Sequence, residues 1–502
     1  MTLRLHLADE RATQRLGADI AAVARAGDLF ALAGDLGAGK STLARGFLRA
    51  LHDDPALEVP SPTFTIVQDY PDGRLPASHL DLYRLGDPSE LDELGLDETL
   101  EHGAALVEWP ERAELTGPEI RIILSDGPGG EGRTASIDAS PETEARLARS
   151  LAMRELLERA GHGEARRRPM PGDASSRGYE CVESGGETML LMDSPAMTDT
   201  TPVPGTNRSY SHIAHLAEDV VPFVAVGDAL HGRGFAAPTI HASDLARGIL
   251  LTEHLGSGSL LRSDGSADPE RYCAVAETLA ALHDEDWPDA LPVTGGGQHV
   301  LPRFDRGVID IEIELTLDWA FPRLLGRYPS AEERDAFRRA WEEPLALLER
   351  AERSLMLRDI QYPNIIWRGN REGHDRVGLI DFQDALIGPA AYDMASLGQD
   401  ARVTIPLDLE AEIKARYLAA RRRTDPDFEA AYTICAAQRA TRLFGLWVRL
   451  DERDGKSHYL AHAPRTREYL ARVLPHPALA AVRRWFERHA LLERAETLAE
   501  AA

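Results

Sequence analysis

Short apolar runs alternate with amphipathic stretches through about the first 140 residues of the chain. The apolar runs with the length and composition of strands are residues 3–7, 29–33, 65–70, 77–82, 104–108, 120–124 and 133–138. Strands that alternate with helical segments are typical of an α/β domain built around a mainly parallel sheet. The pattern therefore predicts such a domain for residues 1–140.

The pattern changes after this first domain. Residues 141–160 have helical periodicity, whereas residues 161–172 combine glycines and prolines with the consecutive arginines Arg166, Arg167 and Arg168. We expect this second stretch to be a linker or entry loop whose arginines are solvated rather than functional. The rest of the chain then becomes mainly helical, after strand-like pieces at residues 179–182, 188–193 and 248–253.

Length and charge narrow the classes of protein. A chain of 502 residues is too long for one ordinary core, so two or three domains are expected. The formal net charge of −26 disfavours direct stable binding to nucleic acid or to an anionic membrane. The three cysteines are widely spaced and suit a reducing compartment. Because no segment has the pattern of a signal peptide or a transmembrane helix, we expect a cytoplasmic protein.

The segment from Gly34 to Ser41 fits the pattern Gly-x-x-x-x-Gly-Lys-Ser of a phosphate-binding loop. Gly34, Gly37 and Gly39 would let backbone N–H groups face the phosphates of ATP. The ammonium of Lys40 is compact enough to reach the β- and γ-phosphates, and it is one of only three lysines among 56 basic residues. Ser41 would be a ligand of Mg²⁺ at the start of a helix.

Further segments downstream carry side chains that suit the same chemistry. Residues 61–65 would place a hydroxyl near the γ-phosphate, and the period of a strand puts His79, Asp81 and Tyr83 on one face. Glu108 ends a buried strand, where a metal ligand or a water-orienting group is needed. Taken singly, each segment has a structural explanation that is at least as good as the functional one.

Together, and in this order after a phosphate loop, these segments resemble the small bacterial ATPase subunit of the machinery that makes threonylcarbamoyladenosine in tRNA. The resemblance implies that Lys40, Ser41 and Thr42 bind nucleotide and metal, with Asp81 and Glu108 near Mg²⁺ and the hydrolytic water. It also implies that the domain binds the threonylcarbamoyl-transferase complex and supports its turnover, so that tRNA contact falls to that partner. A small-molecule P-loop kinase is the competing class, although no acceptor-binding lid is evident.

A second set of chemically suited residues lies near the middle of the longer half. Asp359 and Asn364 have the spacing of the catalytic loop of protein kinases, and Asp381-Phe382 follows a predicted strand as the metal-binding aspartate does there. Asp359 would orient the acceptor hydroxyl, while Asn364 and Asp381 would hold Mg²⁺ on the phosphates of ATP. The alternative is a solvated loop followed by an ordinary residue at a strand end.

The run from residue 380 to residue 397 is similar to the aminoglycoside-phosphotransferase superfamily, whose kinase-like fold has two lobes. Within it, the chain most resembles bacterial kinases that phosphorylate the anomeric hydroxyl of N-acetylmuramate and N-acetylglucosamine. The resemblance implies a bilobal α+β domain over residues 169–495, with the N-lobe at about 169–255 and the C-lobe at about 256–495. Residues 141–168 would then be a helix and linker between the two domains.

The same resemblance supplies candidate contacts to nucleotide and acceptor. Residues 173–179 are similar to the nucleotide loop of the N-lobe and residues 251–256 to the hinge between lobes, which makes Ser175, Arg177 and Glu253 candidate nucleotide-binding residues. An acidic and aromatic stretch resembles part of the sugar kinases. The resemblance suggests that four residues contact the acceptor, namely Arg306, Glu314, Asp318 and Trp319. A position on the helix surface or in the core is an equally good explanation for each of them.

The sequence departs from the kinase pattern in three places. Leu357 and Gln361 stand where many relatives carry histidines, so we expect altered packing of the loop but no loss of activity. No lysine lies between Lys40 and Lys414, so the phosphate-binding lysine of protein kinases is absent and Asp193 occupies its neighbourhood. The sugar-kinase relatives also have an aspartate there, and Mg²⁺ with an arginine such as Arg177 would neutralise the phosphates instead.

The sequence is interpreted as a fusion of two enzymes, a P-loop ATPase and a small-molecule phosphotransferase, both using ATP and Mg²⁺. The expected acceptor is a small amino-sugar. Aminoglycosides, homoserine and choline stay open as other acceptors. A further alternative is that one half is a non-catalytic nucleotide-binding regulator, which the complete metal-ligand sets in both halves disfavour.

Overall fold

The structure is a computed structural model that describes residues 3–87, 90–91, 94–115, 119–171, 177–203, 206–496 and 498. The chain forms two compact units. The first comprises residues 1–194 and 241–253, and the second comprises residues 195–240 and 254–502. No helix within the described ranges is both long and apolar enough to cross a membrane.

The first unit contains a seven-stranded and a five-stranded sheet. Its strands and helices, in chain order, are β1 (Leu3–Leu7), α1 (Glu10–Val23), β2 (Leu29–Ala33), α2 (Lys40–Leu51), β3 (Val67–Tyr70), β4 (Ala77–Asp81), α3 (Leu96–His102), β5 (Ala104–Glu108), β6 (Glu119–Asp126), β7 (Arg133–Asp138), α4 (Pro141–Arg159), β8 (Arg166–Pro169), β9 (Gly178–Ser184), β10 (Glu187–Asp193), β11 (Ile240–Asp244) and β12 (Ile249–Glu253).

The larger sheet has the strand order β1-β7-β6-β2-β5-β4-β3. Its four central strands are parallel, and antiparallel strands are added at both edges. The predicted α/β fold with a mainly parallel sheet is therefore confirmed. Strand β3 begins two residues later than the sequence predicts, because Ile66 has a φ of 65° that a strand does not accommodate.

Helices α1 and α2 pack closely against each other. A Cβ atom on Gly46 of α2 would lie 2.1 Å from the carbonyl oxygen of Gln14 in α1, so only glycine permits this approach. On the sheet side of α2, Leu43 and Phe47 are fully buried, and the Phe47 ring lies 5.1 Å from that of Phe30. This packing fixes the helix that begins with Lys40.

The smaller sheet has the order β11-β12-β10-β9-β8. Its edge strand β8 pairs antiparallel with β9 and occupies the segment for which the sequence predicts a linker. The prediction that the three arginines are solvated is wrong for Arg167, whose side chain is 2% exposed, whereas Arg166 and Arg168 are half exposed. The reason is strand alternation, which turns the middle arginine toward the opposite face of the sheet from its neighbours.

The second unit is mainly helical. Its elements, in chain order, are α5 (Tyr210–Ala214), α6 (Val221–His231), α7 (Pro269–Asp284), β13 (Ala290–Pro292), β14 (Gln298–Val300), α8 (Arg306–Ile313), α9 (Phe321–Leu325), α10 (Ala331–Leu348), β15 (Arg353–Met356), β16 (Ile365–Trp367), β17 (Val377–Leu379), β18 (Leu386–Pro389), α11 (Ala390–Gly398), α12 (Leu407–Ala420), α13 (Phe428–Glu452), α14 (Ala463–Val473), α15 (Ala480–His489) and α16 (Leu491–Arg494).

Short antiparallel strand pairs hold the candidate catalytic segment of this unit. Strand β15 pairs with β18, and β16 pairs with β17. The loop that carries Asp359 runs from β15 to β16, and Asp381 follows the end of β17. The 25-residue helix α13 is largely buried in the same unit. This arrangement agrees with the predicted kinase-like C-lobe.

Candidate functional sites

The phosphate loop connects β2 to α2 in the first unit. Gly34, Gly37 and Gly39 have φ values of 138°, 78° and 107°, which residues other than glycine rarely adopt. A Cβ atom on Gly34 would also lie 2.3 Å from the carbonyl oxygen of Leu124. The sequence therefore uses glycine where the backbone must turn tightly between strand and helix.

Lys40 lies folded over this loop. Its Nζ donates hydrogen bonds to the carbonyl oxygens of Gly34 at 2.7 Å and Asp35 at 3.0 Å, and it lies 3.7 Å from the centre of the Trp109 ring. Burial lowers the pKa of Lys40, against the opposing effect of nearby carboxylates, of which Glu108 is the strongest. A phosphate group would satisfy this partly desolvated ammonium better than neutral carbonyl groups do.

Two carboxylates lie opposite the loop at the carboxyl ends of adjacent parallel strands. Asp81 on β4 and Glu108 on β5 are register partners. Glu108 accepts a hydrogen bond from Ser41 Oγ at 3.1 Å, and Asp81 accepts from the hydroxyls of Ser61 at 3.0 Å and Thr63 at 2.9 Å. The fold thus brings together segments that are far apart in the chain.

A cavity of about 270 Å³ lies between these groups. Gly37, Gly39, Lys40, Ser41 and Thr42 line one side, and Asp81 and Glu108 line the other. The hydroxyl of Ser41 and the two carboxylates are oxygen donors of the kind Mg²⁺ takes when substrate phosphates supply the remaining ligands. The donor set therefore fits Mg²⁺, although the described residues contain no cluster of three or more side chains suited to a metal held by protein alone.

His79 lies beneath the cavity rather than in it. Its Nε2 lies 2.9 Å from Glu108 Oε1, and both side chains are almost fully buried. The interaction fixes the orientation of Glu108 while the other carboxylate oxygen bonds to Ser41. His79 is therefore a positioning residue for Glu108.

Trp109 is a residue of the site to which sequence reasoning assigns no role. Trp109 follows β5 with a φ of 58°, and its ring lies 5.0 Å from that of Tyr83. The Trp109 ring is the cation–π partner of Lys40. The sequence shows only that Trp109 directly follows a glutamate at a strand end. This position does not indicate which cation the ring contacts.

The candidate catalytic loop of the second unit is anchored through its backbone. The N–H groups of Leu357 and Arg358 donate to the two carboxylate oxygens of Asp393 at 2.7 and 2.8 Å. The buried guanidinium of Arg358 forms an ion pair with Glu312 and donates to the carbonyl oxygen of Ala214 at 2.9 Å. These contacts hold the residue next to Asp359 with a φ of 72°.

The predicted catalytic and metal-binding residues meet at this loop. Asn364 Nδ2 donates to the carbonyl oxygen of Asp359 and to Asp381 Oδ2, both at 3.1 Å. Gln383 Nε2 donates to Asp381 Oδ1 at 3.0 Å, and the Phe382 ring stacks on Phe223 at 4.8 Å. The amide oxygen of Asn364 and the carboxylate of Asp381 are suitable oxygen ligands for Mg²⁺.

Two of the three departures from the kinase pattern, Leu357 and Gln361, are accommodated by buried positions. Leu357 is a core residue with 2% exposure. Gln361 is buried and accepts a hydrogen bond from Arg439 at 2.6 Å. A buried arginine thus satisfies the side chain that stands in place of a histidine.

Arg442 on α13 is a neighbour of the loop that the sequence did not reveal. Burial opposes its charge, but Glu312, Tyr392 and Asp359 outweigh burial and raise the pKa of Arg442 well above its ordinary value. Its Nε lies 3.6 Å from Glu312 Oε1. A buried, permanently charged guanidinium therefore lies close enough to Asp359 for the two charges to interact.

The candidate nucleotide contacts of the N-lobe belong to the first unit. Arg177 lies just before β9, Glu253 ends β12, and Ser175 lies outside the described residues. Asp193, in the neighbourhood of the missing lysine, accepts a hydrogen bond from Arg149 of α4 at 2.7 Å. An arginine from outside the sheet thus compensates this aspartate.

The candidate acceptor residues lie on helical surface in ion pairs. Arg306 Nε donates to Asp310 at 2.7 Å on its own helix. Glu314 accepts from Arg338 at 2.6 Å, and Asp318 accepts from Arg334 at 2.5 Å. Because these pairs engage the charged ends, they favour the surface explanation that the sequence left open.

Comparison with known proteins gives a different family for each half of the chain. Residues 7–133 match the family described as threonylcarbamoyl adenosine biosynthesis protein TsaE, and residues 166–432 match the phosphotransferase enzyme family. An N-acetylmuramate/N-acetylglucosamine kinase of Caulobacter vibrioides is 32% identical over 356 residues, which are 69% of this chain and 98% of that protein.

Two relatives match only the N-terminal part. A tRNA threonylcarbamoyladenosine biosynthesis protein TsaE of Nostoc sp. is 39% identical over 134 residues, which are 25% of this chain and 80% of that protein. The corresponding protein of Bacillus subtilis is 46% identical over 105 residues, which are 21% of this chain and 64% of that protein. The chain therefore belongs to both families, to the TsaE family through residues 7–133 and to the phosphotransferase enzyme family through residues 166–432.

Proposed function

We propose that the chain is a bifunctional enzyme that hydrolyses ATP in support of threonylcarbamoyladenosine modification of tRNA and phosphorylates a cell-wall amino-sugar. The observation that carries this proposal is that both halves retain a paired set of metal-binding side chains. Ser41 bonds to Glu108 in one half, and Asn364 bonds to Asp381 in the other. A half that served only as a regulator would not need to retain such a set.

In the ATPase half, Lys40 exchanges its carbonyl partners for the β- and γ-phosphates of ATP. Ser41, Asp81 and Glu108 would hold Mg²⁺, which neutralises charge on the phosphates when bound. Glu108, whose orientation His79 fixes, also orients the attacking water. The water oxygen forms a bond to the γ-phosphorus as the bond to the β-phosphate oxygen breaks, and ADP and phosphate leave.

Hydrolysis in this half serves a partner. The relatives of the N-terminal part are named for threonylcarbamoyladenosine biosynthesis in tRNA, which supports the threonylcarbamoyl-transferase complex as the proposed partner. The acidic chain leaves tRNA contact to that complex. The proposed location is the cytoplasm, where ATP and tRNA are both available.

In the kinase half, Asp359 orients the acceptor hydroxyl and takes its proton. The acceptor oxygen forms a bond to the γ-phosphorus while the bond to the ADP oxygen breaks. Asn364 and Asp381 would hold Mg²⁺ on the phosphates. On this proposal Ser175, Arg177 and Glu253 contribute nucleotide contacts.

The proposed acceptor is N-acetylmuramate or N-acetylglucosamine, and the product is the 1-phosphate. The relative that is covered over 98% of its length is named for these two sugars. We assign the ATPase domain to residues 1–140, the connection to residues 141–168 and the kinase domain to residues 169–495. Acceptor contacts by Arg306, Glu314 and Asp318 would require their ion pairs to open.

An acceptor panel tests the kinase assignment. The test uses the Lys40→Ala protein, because this variant should not hydrolyse ATP at the phosphate loop. The protein is incubated with Mg-ATP and one of five acceptors: N-acetylmuramate, N-acetylglucosamine, an aminoglycoside, homoserine or choline. Mass spectrometry of the products should show a sugar 1-phosphate and no other phosphorylated acceptor. Preference for another acceptor would refute the amino-sugar as substrate but not the kinase activity. Absence of transfer to all five acceptors would refute both assignments.

A further inference from the structure

A second cavity in the first unit is separate from the phosphate loop. Its volume is about 340 Å³, and it lies between α1, the C-terminal part of α2 and strand β8. Its walls come from both families, since residues 11–55 lie within the TsaE match and residues 166–167 within the phosphotransferase match. The cavity therefore arises from the joining of the two families in one chain.

The lining of this cavity is rich in arginine. Six arginines line it together with only two carboxylates, Asp53 and Glu164. The arginines are Arg11, Arg15, Arg49, Arg154, Arg166 and Arg167. Such a concentration of positive charge contrasts with a chain whose formal net charge is −26.

Four of the six arginines have acidic partners. Two of these pairs are formed within the lining, Arg15 with Glu164 and Arg166 with Asp53, the latter at 2.6 Å. The other two arginines pair with acids behind the wall. Arg154 pairs with Asp19 at 2.8 Å, and Arg167 pairs with Asp19 and with Glu180 at 2.8 and 2.7 Å.

The remaining two arginines of the lining, Arg11 and Arg49, form no ion pair within the described residues. Arg49 donates one hydrogen bond, from its Nε to the carbonyl oxygen of Leu57 at 3.0 Å. Two charged neighbours outside the lining join these pairs, since Arg168 shares Asp53 with Arg166, and Glu183 pairs with both arginines. Seven guanidinium groups against the five carboxylates Asp19, Asp53, Glu164, Glu180 and Glu183 leave two positive charges at the cavity. An anion of charge −2 would balance them.

We propose that this cavity is a binding site for a phosphomonoester, a ligand whose phosphate group is a dianion at neutral pH. A phosphate monoester carries a charge of about −1.5 to −2 at pH 7 and offers three strong acceptor oxygens. Guanidinium groups bind such oxygens in bidentate pairs. Ala18, Ala50 and Pro55 add an apolar part of the wall for the carbon skeleton of the ligand.

The frame of the site is rigid because two of its arginines belong to a buried ionic cluster. The side chains of Asp19, Arg154, Arg167 and Glu180 are each less than 10% exposed. Arg154 also donates to the carbonyl oxygens of Gly163 and Ala165 at 2.9 and 2.8 Å. Asp19 lies on α1, which also carries Arg11, so the cluster fixes one helix of the cavity wall and lowers the entropic cost of binding.

The test compares the full-length Arg11→Gln/Arg49→Gln protein with a matched control, Arg4→Gln/Arg45→Gln. Arg4 is exposed as Arg11 is, and Arg45 lies one turn before Arg49 on α2 without lining the cavity. Calorimetric titrations use inorganic phosphate, N-acetylglucosamine 1-phosphate and AMP, with a non-hydrolysable ATP analogue filling both ATP sites. Preference among these probes identifies the source of the phosphate group, as free anion, sugar phosphate or nucleotide.

We expect saturable binding to the unmodified protein and to the control. Loss of two charge-assisted hydrogen bonds should weaken binding by about tenfold or more in the double variant. Affinity should also rise between pH 5 and pH 7.5, because the second pKa of a phosphomonoester is about 6. The single variant Arg11→Glu, at an exposed position, should also weaken binding. A thermal unfolding midpoint equal to that of the unmodified protein would show that this variant is folded. Equal affinity in the double variant and the control, or no saturable binding of any probe, would overturn the proposal.

Discussion

The contacts of Lys40 indicate what its side chain would exchange on the proposed binding of ATP. The ammonium is held by two carbonyl oxygens of its own loop and by the face of Trp109, and burial lowers its pKa. These are weak partners for a cation compared with a phosphate. The observed site therefore holds the ammonium by its own loop, with no ion pair to a carboxylate among the described residues.

Replacing Lys40 with Ala should abolish ATP hydrolysis at the phosphate loop and leave sugar phosphorylation unchanged. Removing a cation that stabilises the transition state costs about 3–4 kcal/mol, or a factor of about 10² to 10³ in kcat. Phosphate release without sugar measures the first activity, and sugar 1-phosphate formation measures the second. A Lys40→Arg protein is the matched control for charge, and it should be inactive too because the planar guanidinium is larger. Equal loss of both activities in a folded protein would contradict independent sites.

Asp359 and Asp381 lie close together, but substitutions at the two positions should impair different steps of the kinase reaction. Asp359→Asn removes the group that orients the acceptor hydroxyl, so sugar phosphorylation should fall by about 10² to 10⁴ with little change in ATP affinity. Asp381→Asn removes charge from the metal-binding pair with Asn364, so Mg-ATP should bind more weakly. Phosphate transfer and nucleotide binding are measured separately in each protein. A fully active Asp359→Asn protein would refute the mechanism.

The sequence predicted those residues whose role depends on local spacing. Lys40 and Ser41 are adjacent, and Asp359 and Asn364 lie in one loop, so a short pattern was sufficient. Arg442 reaches the same region from α13, and only the folded chain brings it near Asp359. No periodicity or motif records a contact of this kind.

Strand β8 shows that tertiary contacts also decide the burial of residues in a secondary-structure element. Its four residues are three arginines and a proline, a composition that indicates solvent or linker. Strand pairing nevertheless turns Arg167 inward, where Asp19 and Glu180 neutralise it. The partners come from α1 and β9, so the burial of Arg167 depended on tertiary contacts that the local pattern does not contain.

Arg167→Met should therefore destabilise the first unit far more than Arg168→Met. Removing one partner of a buried ion pair leaves Asp19 and Glu180 with less compensation, at a cost of about 3–5 kcal/mol. The neighbouring Arg168 is half exposed and pairs with Asp53 at 3.1 Å, so its loss should cost about 1 kcal/mol or less. Chemical denaturation of the two full-length proteins measures the difference. Similar unfolding midpoints would show that the cluster adds little stability.

The whole molecule joins two ATP-using enzymes in one acidic chain. The sequence predicted both fold classes because each half carries a long, ordered series of motifs. It did not predict the arrangement of the first unit, in which the strands of the kinase N-lobe join the P-loop domain through β8 and α4. That grouping depends on the contacts of Arg154 and Arg167 with Asp19. Asp19 lies within the TsaE match, Arg167 lies within the phosphotransferase match, and Arg154 lies between the two.

Charge at the scale of the whole chain leads to a prediction about tRNA. With 82 acidic and 56 basic residues, the chain repels a polyanion, so the purified protein alone should bind tRNA weakly. It should bind the threonylcarbamoyl-transferase complex in the presence of ATP, and the Lys40→Ala protein should lose this dependence on ATP. Fluorescence anisotropy with labelled tRNA at about 50 and 200 mM salt, with and without the complex, separates the two kinds of binding. Tight tRNA binding by the chain alone, weakening steeply with salt, would mean that a local basic surface outweighs the net charge. Retained ATP-dependent assembly in the Lys40→Ala protein would instead assign that dependence to the kinase half.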